Sequence, residues 1–254
     1  MTISTVINLK GGTGKTVTAT TLAALLAEDG QRVLVIDADP QHNTTDFYRS
    51  PPPQHTLADV MQSERCDYTA LAHSTSNNGI DILPADINLV ECDIDSALHG
   101  DGMERMRAFA DALSKSGRYD AVIIDCPPSF TALSVAALSV ADDVIMPVKV
   151  DAYALGGVLE LTAQINSIRR LRPGIRARAL VTMWRNEPAI TQGEALLRRS
   201  GINVYAARIR YSPKVDEATF ARRAVTDYSP QSAASRDYRA FYAEWRESHG
   251  QKQI

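Results

Sequence analysis

Apolar residues gather in short, nearly continuous runs: STVINL (4–9), RVLVID (32–37), GIDILPA (79–85), DAVIID (120–125), DDVIMPV (142–148), RARALVTM (176–183) and INVYAARI (202–209). Continuous rather than alternating apolar character is what strands covered on both faces of a parallel sheet require. Between the runs lie segments with helical spacing at 15–29, 86–98, 102–116, 131–140, 153–171, 188–200 and 232–248. This alternation predicts an α/β fold, a doubly wound, mostly parallel sheet flanked by helices with right-handed crossovers. RSPPPQHT (49–56) reads as a proline-stiffened loop and HSTSNNG (73–79) as a polar turn. Neither is long enough to separate domains, so a single domain over 1–254 is expected.

The first run leads into KGGTGKT (10–16), which opens the helix at 15–29, with Gly30 expected at its C-cap. Strand, glycine loop and helix N-terminus together form an anion site. Gly11, Gly12 and Gly14 let the backbone wrap a phosphate, flanking Thr13, and the helix dipole adds positive potential before Val17. Lys15 can then reach the β- and γ-phosphates of a nucleotide, and the Thr16 hydroxyl can ligate Mg²⁺. Two acidic strand ends fit the same chemistry. Asp125 closes YDAVIID ahead of Pro127 and Pro128, where it can support the cation; RVLVIDADPQHNTT ends with Asp37 and Asp39, of which Asp39 is the better placed to orient an attacking water. Lys10 is unexplained by this chemistry, because a phosphate loop needs only the lysine after the glycines.

KGGTGKT, DADPQHNTT, YDAVIIDCPPS, ADDVIMPVKVDAYALGGV and IRYSPKVDEA together resemble the ParA/Soj branch of the ParA/MinD superfamily, the deviant Walker A P-loop NTPases that segregate plasmids and chromosomes. The resemblance spans nearly the whole chain. It implies ATP and Mg²⁺ as cofactors, with Lys10, Lys15 and Asp39 catalytic and Thr16, Asp39 and Asp125 around the metal. It further implies a homodimer in the ATP state in which Lys10 reaches the partner's phosphates, as an arginine finger does. Adenine contacts fall near Met183, Arg185, Tyr211 and Pro213, although the family's IPRN is replaced here by Arg210–Tyr211–Ser212–Pro213 and the proline is displaced. The segments 38–46 and 126–134 would be the switch regions.

Charge sharpens this picture. Residues 1–127 carry 9 basic and 18 acidic side chains, and residues 128–254 carry 18 and 12; within 169–223 there are 13 basic residues and 4 acidic ones. A basic C-terminal half points to a polyanionic partner, which the resemblance implies is non-specific double-stranded DNA, with Arg185, Arg208, Arg210, Arg222 and Arg223 as candidate contacts. The implied partner is a ParB-like centromere-binding protein, and the implied location is cytoplasmic and nucleoid-associated. The chain starts at its first strand, so no N-terminal helix-turn-helix domain is expected. Positioning of another cargo is the alternative within the family.

A membrane role in the manner of MinD is disfavoured. The tail stripe of Tyr238, Phe241, Tyr242 and Trp245 has core-packing spacing, and its polar face holds as many acids as bases. No apolar run approaches the roughly 18 residues of a membrane span, and MTISTVINLK lacks the basic start of a signal peptide. Cys66, Cys92 and Cys126 are too scattered for a zinc site and read as reduced structural thiols. Cys126 does not match the placement of a cluster-bridging cysteine in nitrogenase iron proteins.

Overall fold

The computed structural model describes residues 1–48, 55–62 and 71–250. Within them the strands are β1 (Thr2–Val6), β2 (Val33–Asp37), β3 (His73–Ser74), β4 (Ile80–Leu83), β5 (Ala121–Asp125), β6 (Asp143–Lys149), β7 (Arg176–Trp184) and β8 (Val204–Arg210). The helices are α1 (Lys15–Glu28), α2 (Asn43–Phe47), α3 (Leu57–Gln62), α4 (Leu89–His99), α5 (Gly102–Ser116), α6 (Ala132–Val140), α7 (Ala154–Ile168), α8 (Pro188–Arg199), α9 (Pro213–Phe220), α10 (Val225–Tyr228) and α11 (Ala233–Gly250). The strand order is β3-β4-β2-β5-β1-β6-β7-β8, and every pairing except β3 with β4 is parallel.

Side-chain alternation divides the apolar strand residues between two cores. Val33, Val35 and Ile123 pack with α1 and α11 on one face, while Leu34, Ile36, Val122 and Ile124 pack with α4 to α7 on the other. α1 is buried along most of its length because it lies between sheet and α11, which its run of Thr, Ala and Leu permits. The tail stripe packs inward as its spacing implies. Tyr238, Phe241, Tyr242 and Trp245 are all buried, and Phe241 meets Tyr205 edge-on with ring centroids 4.9 Å apart.

Several boundaries differ from the sequence pattern for local reasons. β1 begins and ends earlier than 4–9: Ile7 N still donates to Ile145 O, but the Asn8 side chain then donates to Pro147 O and accepts from Lys10 N, turning the chain into a loop. Asp29, not Gly30, caps α1; Gly30 follows it with φ 79°, the left-handed position glycine tolerates best. The polar turn 73–79 contains the two-residue edge strand β3, and α2, α3, α9 and α10 are too short for periodicity to reveal. Residues 49–54 of the proline-rich loop and Cys66 lie outside the described residues. Cys92 and Cys126 are free and buried. Among the described residues no helix is long and apolar enough to cross a membrane.

Replacing the fully buried Phe241 by Ala is expected to cost about 3–5 kcal/mol of stability in urea unfolding, whereas Leu98→Ala, at a side chain 74% exposed, changes it by less than about 0.5 kcal/mol.

Candidate functional site

Parallel register sets Val6 of β1 opposite Asp125 of β5, and Asp125 opposite Asp37 of β2. The three strands end together at the sheet's carboxyl edge. Winding reverses there, since β5 and β2 extend to one side of β1 and β6 to the other. Open α/β sheets bind ligands at this point.

The glycine loop follows β1 directly. Gly12 (φ 68°) and Gly14 (φ 87°) take left-handed backbone, and Gly14 caps α1 at its N-terminus. The loop is tied to β7 by Thr182, whose hydroxyl donates to Thr13 O at 2.8 Å. The cleft beside it has a volume of about 550 Å³ and is lined by the loop, by Asp39, Gln41 and Asn43, and by Pro128, Met183 and Arg222. A Cβ added at Gly11 or Gly12 would meet no protein atom within 4 Å; it would occupy the cleft that both line. A close-fitting anion is what such a bare backbone cradle accommodates.

Lys15 lies at the base, almost buried, its Nζ donating to Lys10 O at 3.3 Å. Burial pushes its pKa down, and the charges of Asp125 and Asp39 oppose that shift. Asp125 Oδ2 accepts from both the Thr16 and the Thr44 hydroxyls at 2.7 Å, whereas Oδ1 is buried with no partner. Burial pushes Asp125 up to about 6, and those two hydroxyls and Lys15 pull the other way. Asp37 is also buried, held by Thr45 N and Oγ1 at 2.8 Å and by Asp39 N; burial first, then the Asp125 charge, pushes it up to about 7. Asp39 instead faces the cleft and accepts from Gln41 N. The two aspartates of DADPQ therefore divide the work: Asp37 anchors the loop, and Asp39 is open to a ligand.

This donor set fits a hard divalent cation carried by a phosphate chain. Thr16 donates its proton to Asp125, which leaves its oxygen lone pairs for a metal, and the orphaned Asp125 Oδ1 can accept from a metal-bound water. No cluster of three or more His, Cys, Asp or Glu that could hold a metal occurs among the described residues; a cation here would take most of its shell from phosphate oxygens and waters.

A narrower, mainly apolar cleft adjoins the first and shares Gly14, Val17 and Met183 with it. Met183 and Tyr211, two of the expected adenine neighbours, line it. Arg185 does not; it stacks on the Tyr211 ring with its guanidinium carbon 4.1 Å from the centroid. Pro213 begins α9 behind Ser212, which caps that helix. Lys10 does not line the cleft; its side chain pairs with Asp151 at the start of the β6–α7 connection.

The candidate DNA contacts scatter. Arg208 pairs with the buried Glu194 and lies over Trp184; Arg210 makes a bidentate pair with Asp237 of α11; Arg223 donates to Asp227 O. Arg222 is part of the cleft wall. Thr44, Thr45 and Asp151 were not singled out from the sequence. The first two stand in DADPQHNTT, where hydroxyls a few residues after a strand-end carboxylate are a readable signal; Asp151 lies 141 residues from its partner and carries none.

Strand, glycine cradle, helix N-terminus and a strand-end aspartate holding the loop threonine define a P-loop NTPase. Residues 1–176 match the AAA_31 family, described as an AAA domain. The chain is 35% identical over 239 residues to the chromosome partitioning protein ParA of Caulobacter vibrioides, covering 92% of this chain and 89% of that protein. It is also 35% identical over 236 residues to the chromosome-partitioning ATPase Soj of Thermus thermophilus, with 91% and 90% covered. In fold it is similar to apo McdA of Cyanothece, with a TM-score of 0.86 at 22% identity over 96% of this chain and 99% of that one. The chain belongs to the ParA/Soj family of P-loop partitioning ATPases.

The two raised carboxyls give a pH dependence. An acid whose pKa is higher folded than unfolded holds more protons in the native state, so its contribution is fully present below the unfolded value near 4 and is lost as pH rises through the folded value. Stability of the ligand-free protein should therefore decline between about pH 4 and 7. Asn is tolerable at Asp125, since its oxygen can take the Oδ2 role and its amide the partnerless Oδ1 place. Urea unfolding of Asp125→Asn across that range is expected to show a decline shallower by roughly 2–3 kcal/mol.

Proposed function

We propose that this chain is a DNA-segregation ATPase that dimerises on ATP, binds DNA without sequence preference as the dimer, and is released when a ParB-like centromere-binding partner stimulates hydrolysis. The observation that carries the reading is the placement of Lys10. Its own cleft already has Lys15, and the exposed Lys10 side chain pairs with Asp151 rather than lining that cleft. A cation so displayed is suited to a nucleotide in a second subunit.

In this reading Lys15 holds the β- and γ-phosphates and the loop N–H groups enclose them. Thr16 holds magnesium, oriented by Asp125 and, through it, by Thr44. Magnesium, when bound, supplies charge neutralisation at the β- and γ-phosphate oxygens. Asp39, accessible to the cleft, orients the hydrolytic water, and Met183 and Tyr211 border the adenine. The solved cobyrinic acid a,c-diamide synthase of Mycobacterium smegmatis carries an ATP analogue and magnesium on a similar fold, with a TM-score of 0.81 at 26% identity, which supports the choice of ligands.

For Lys10→Ala the expected outcome is nucleotide affinity near that of the wild type with loss of ATP-dependent dimerisation and a fall in hydrolysis of 10³-fold or more, the scale of a finger residue. Light-scattering mass and phosphate release read the two effects; survival of both would reject the in-trans role.

The DNA step is supported by the basic surface, on which Arg170 and Arg199 are exposed and form no ion pair among the described residues. Duplex DNA of unrelated sequences should bind the ATP-loaded protein more tightly than the ADP-loaded or nucleotide-free forms. Its log affinity should fall with log salt by about 0.9 per phosphate contact. Equal affinity in all three nucleotide states would remove the switch from the reading.

A further inference from the structure

Three non-glycine residues among those described hold left-handed backbone: His42 (φ 48°), Met183 (φ 52°) and Arg222 (φ 52°). Met183 and Arg222 line the phosphate cleft, and His42 stands between Gln41 and Asn43, which line it too. Such conformations are unfavourable for residues with a Cβ and persist where the surrounding structure fixes them, most often at ligand sites. Arg222 sits two residues past α9. Its N–H donates to Thr219 O at 3.0 Å and that of Arg223 to Ala218 O at 3.0 Å, so the turn that delivers it to the cleft is closed by backbone bonds.

The arginines that precede and follow it in this part of the chain are engaged: Arg208 by Glu194, Arg210 by Asp237 and Arg223 by Asp227 O. Arg222 alone of these four has neither an ion-pair nor a side-chain hydrogen-bond partner among the described residues, although Asp39 and Asp46 line the same cleft. A guanidinium in a strained turn, on the wall of a cleft built for phosphate and not neutralised by its acids, has a ligand-binding arrangement. We propose that Arg222 is a phosphate-contacting residue of the nucleotide site, donating to the polyphosphate from the α9 side while Lys15 approaches from the loop. The inference rests on the nucleotide reading of the cleft. It reassigns Arg222 from DNA phosphate to nucleotide phosphate, two sources of one chemistry.

The left-handed turn supplies an unusually clean variant. Glycine adopts φ near +52° without steric penalty, so Arg222→Gly removes the charge while easing the backbone, and its melting temperature is expected to equal or exceed that of the wild type. Arg222→Lys keeps a point charge but loses the planar fork. Fluorescent ATP and ADP analogues would be titrated into wild type and both variants with magnesium present, and duplex DNA into the ATP-loaded forms. The expected result is that Arg222→Gly loses about tenfold or more in affinity for the analogues, the scale of one charge-assisted hydrogen bond, with Arg222→Lys between it and the wild type. Analogue binding by Arg222→Gly within twofold of the wild type would overturn the inference, and doubly so if DNA affinity fell instead. Absence of analogue binding by the wild type would overturn the nucleotide reading as well.

Discussion

Asp37 and Asp125 end neighbouring strands and are in register, so folding buries two carboxylates side by side under the glycine loop. That arrangement is unfavourable in isolation, and the site is organised around relieving it. Thr44 and Thr45 turn into α2 to donate to the two acids, Thr16 donates from α1, and Lys15 supplies the nearest positive charge. The same bonds fix the loop after β2 and the start of α1 against the sheet. Position of the phosphate cradle, orientation of Thr16 and exposure of Asp39 all follow from how those two buried acids are satisfied.

Continuous apolar runs made the sheet and the principal helices legible, because parallel strands covered on both faces leave an unambiguous mark. The glycine loop and its carboxylates were legible for a different reason: each chemical role needs a particular residue type at a strand or helix end. What could not be read was set by distance. Asp151 reaches Lys10 and Asp237 reaches Arg210 only after folding, so neither pairing leaves a local pattern. Arg222 was visible as a basic residue, but whether it faces DNA or nucleotide depends on a backbone turn that composition does not encode.

The charge of the C-terminal half means less on the surface than in the sequence. Glu194, nearly buried, takes both Arg198 and Arg208, and α11 supplies Asp237 to Arg210 and Glu244 to Arg178. These partners hold the arginines in fixed poses while absorbing much of their field. α11 also packs along α1, where Tyr238 meets Thr18 near the phosphate loop and Tyr242 donates to Asp29 at the helix's far end. One helix therefore contacts both the phosphate-loop helix and the basic edge strand.

His42, Met183 and Arg222 come from three separate segments, yet each is held in the same uncommon conformation on or directly beside the wall of a single cleft. A free chain would abandon such conformations, so the surrounding packing must impose all three before any ligand arrives. The ordering cost of shaping the walls is thus met during folding rather than during association. Recognition by this cleft is in that sense preorganised: a nucleotide meets a surface whose entropy has already been lost.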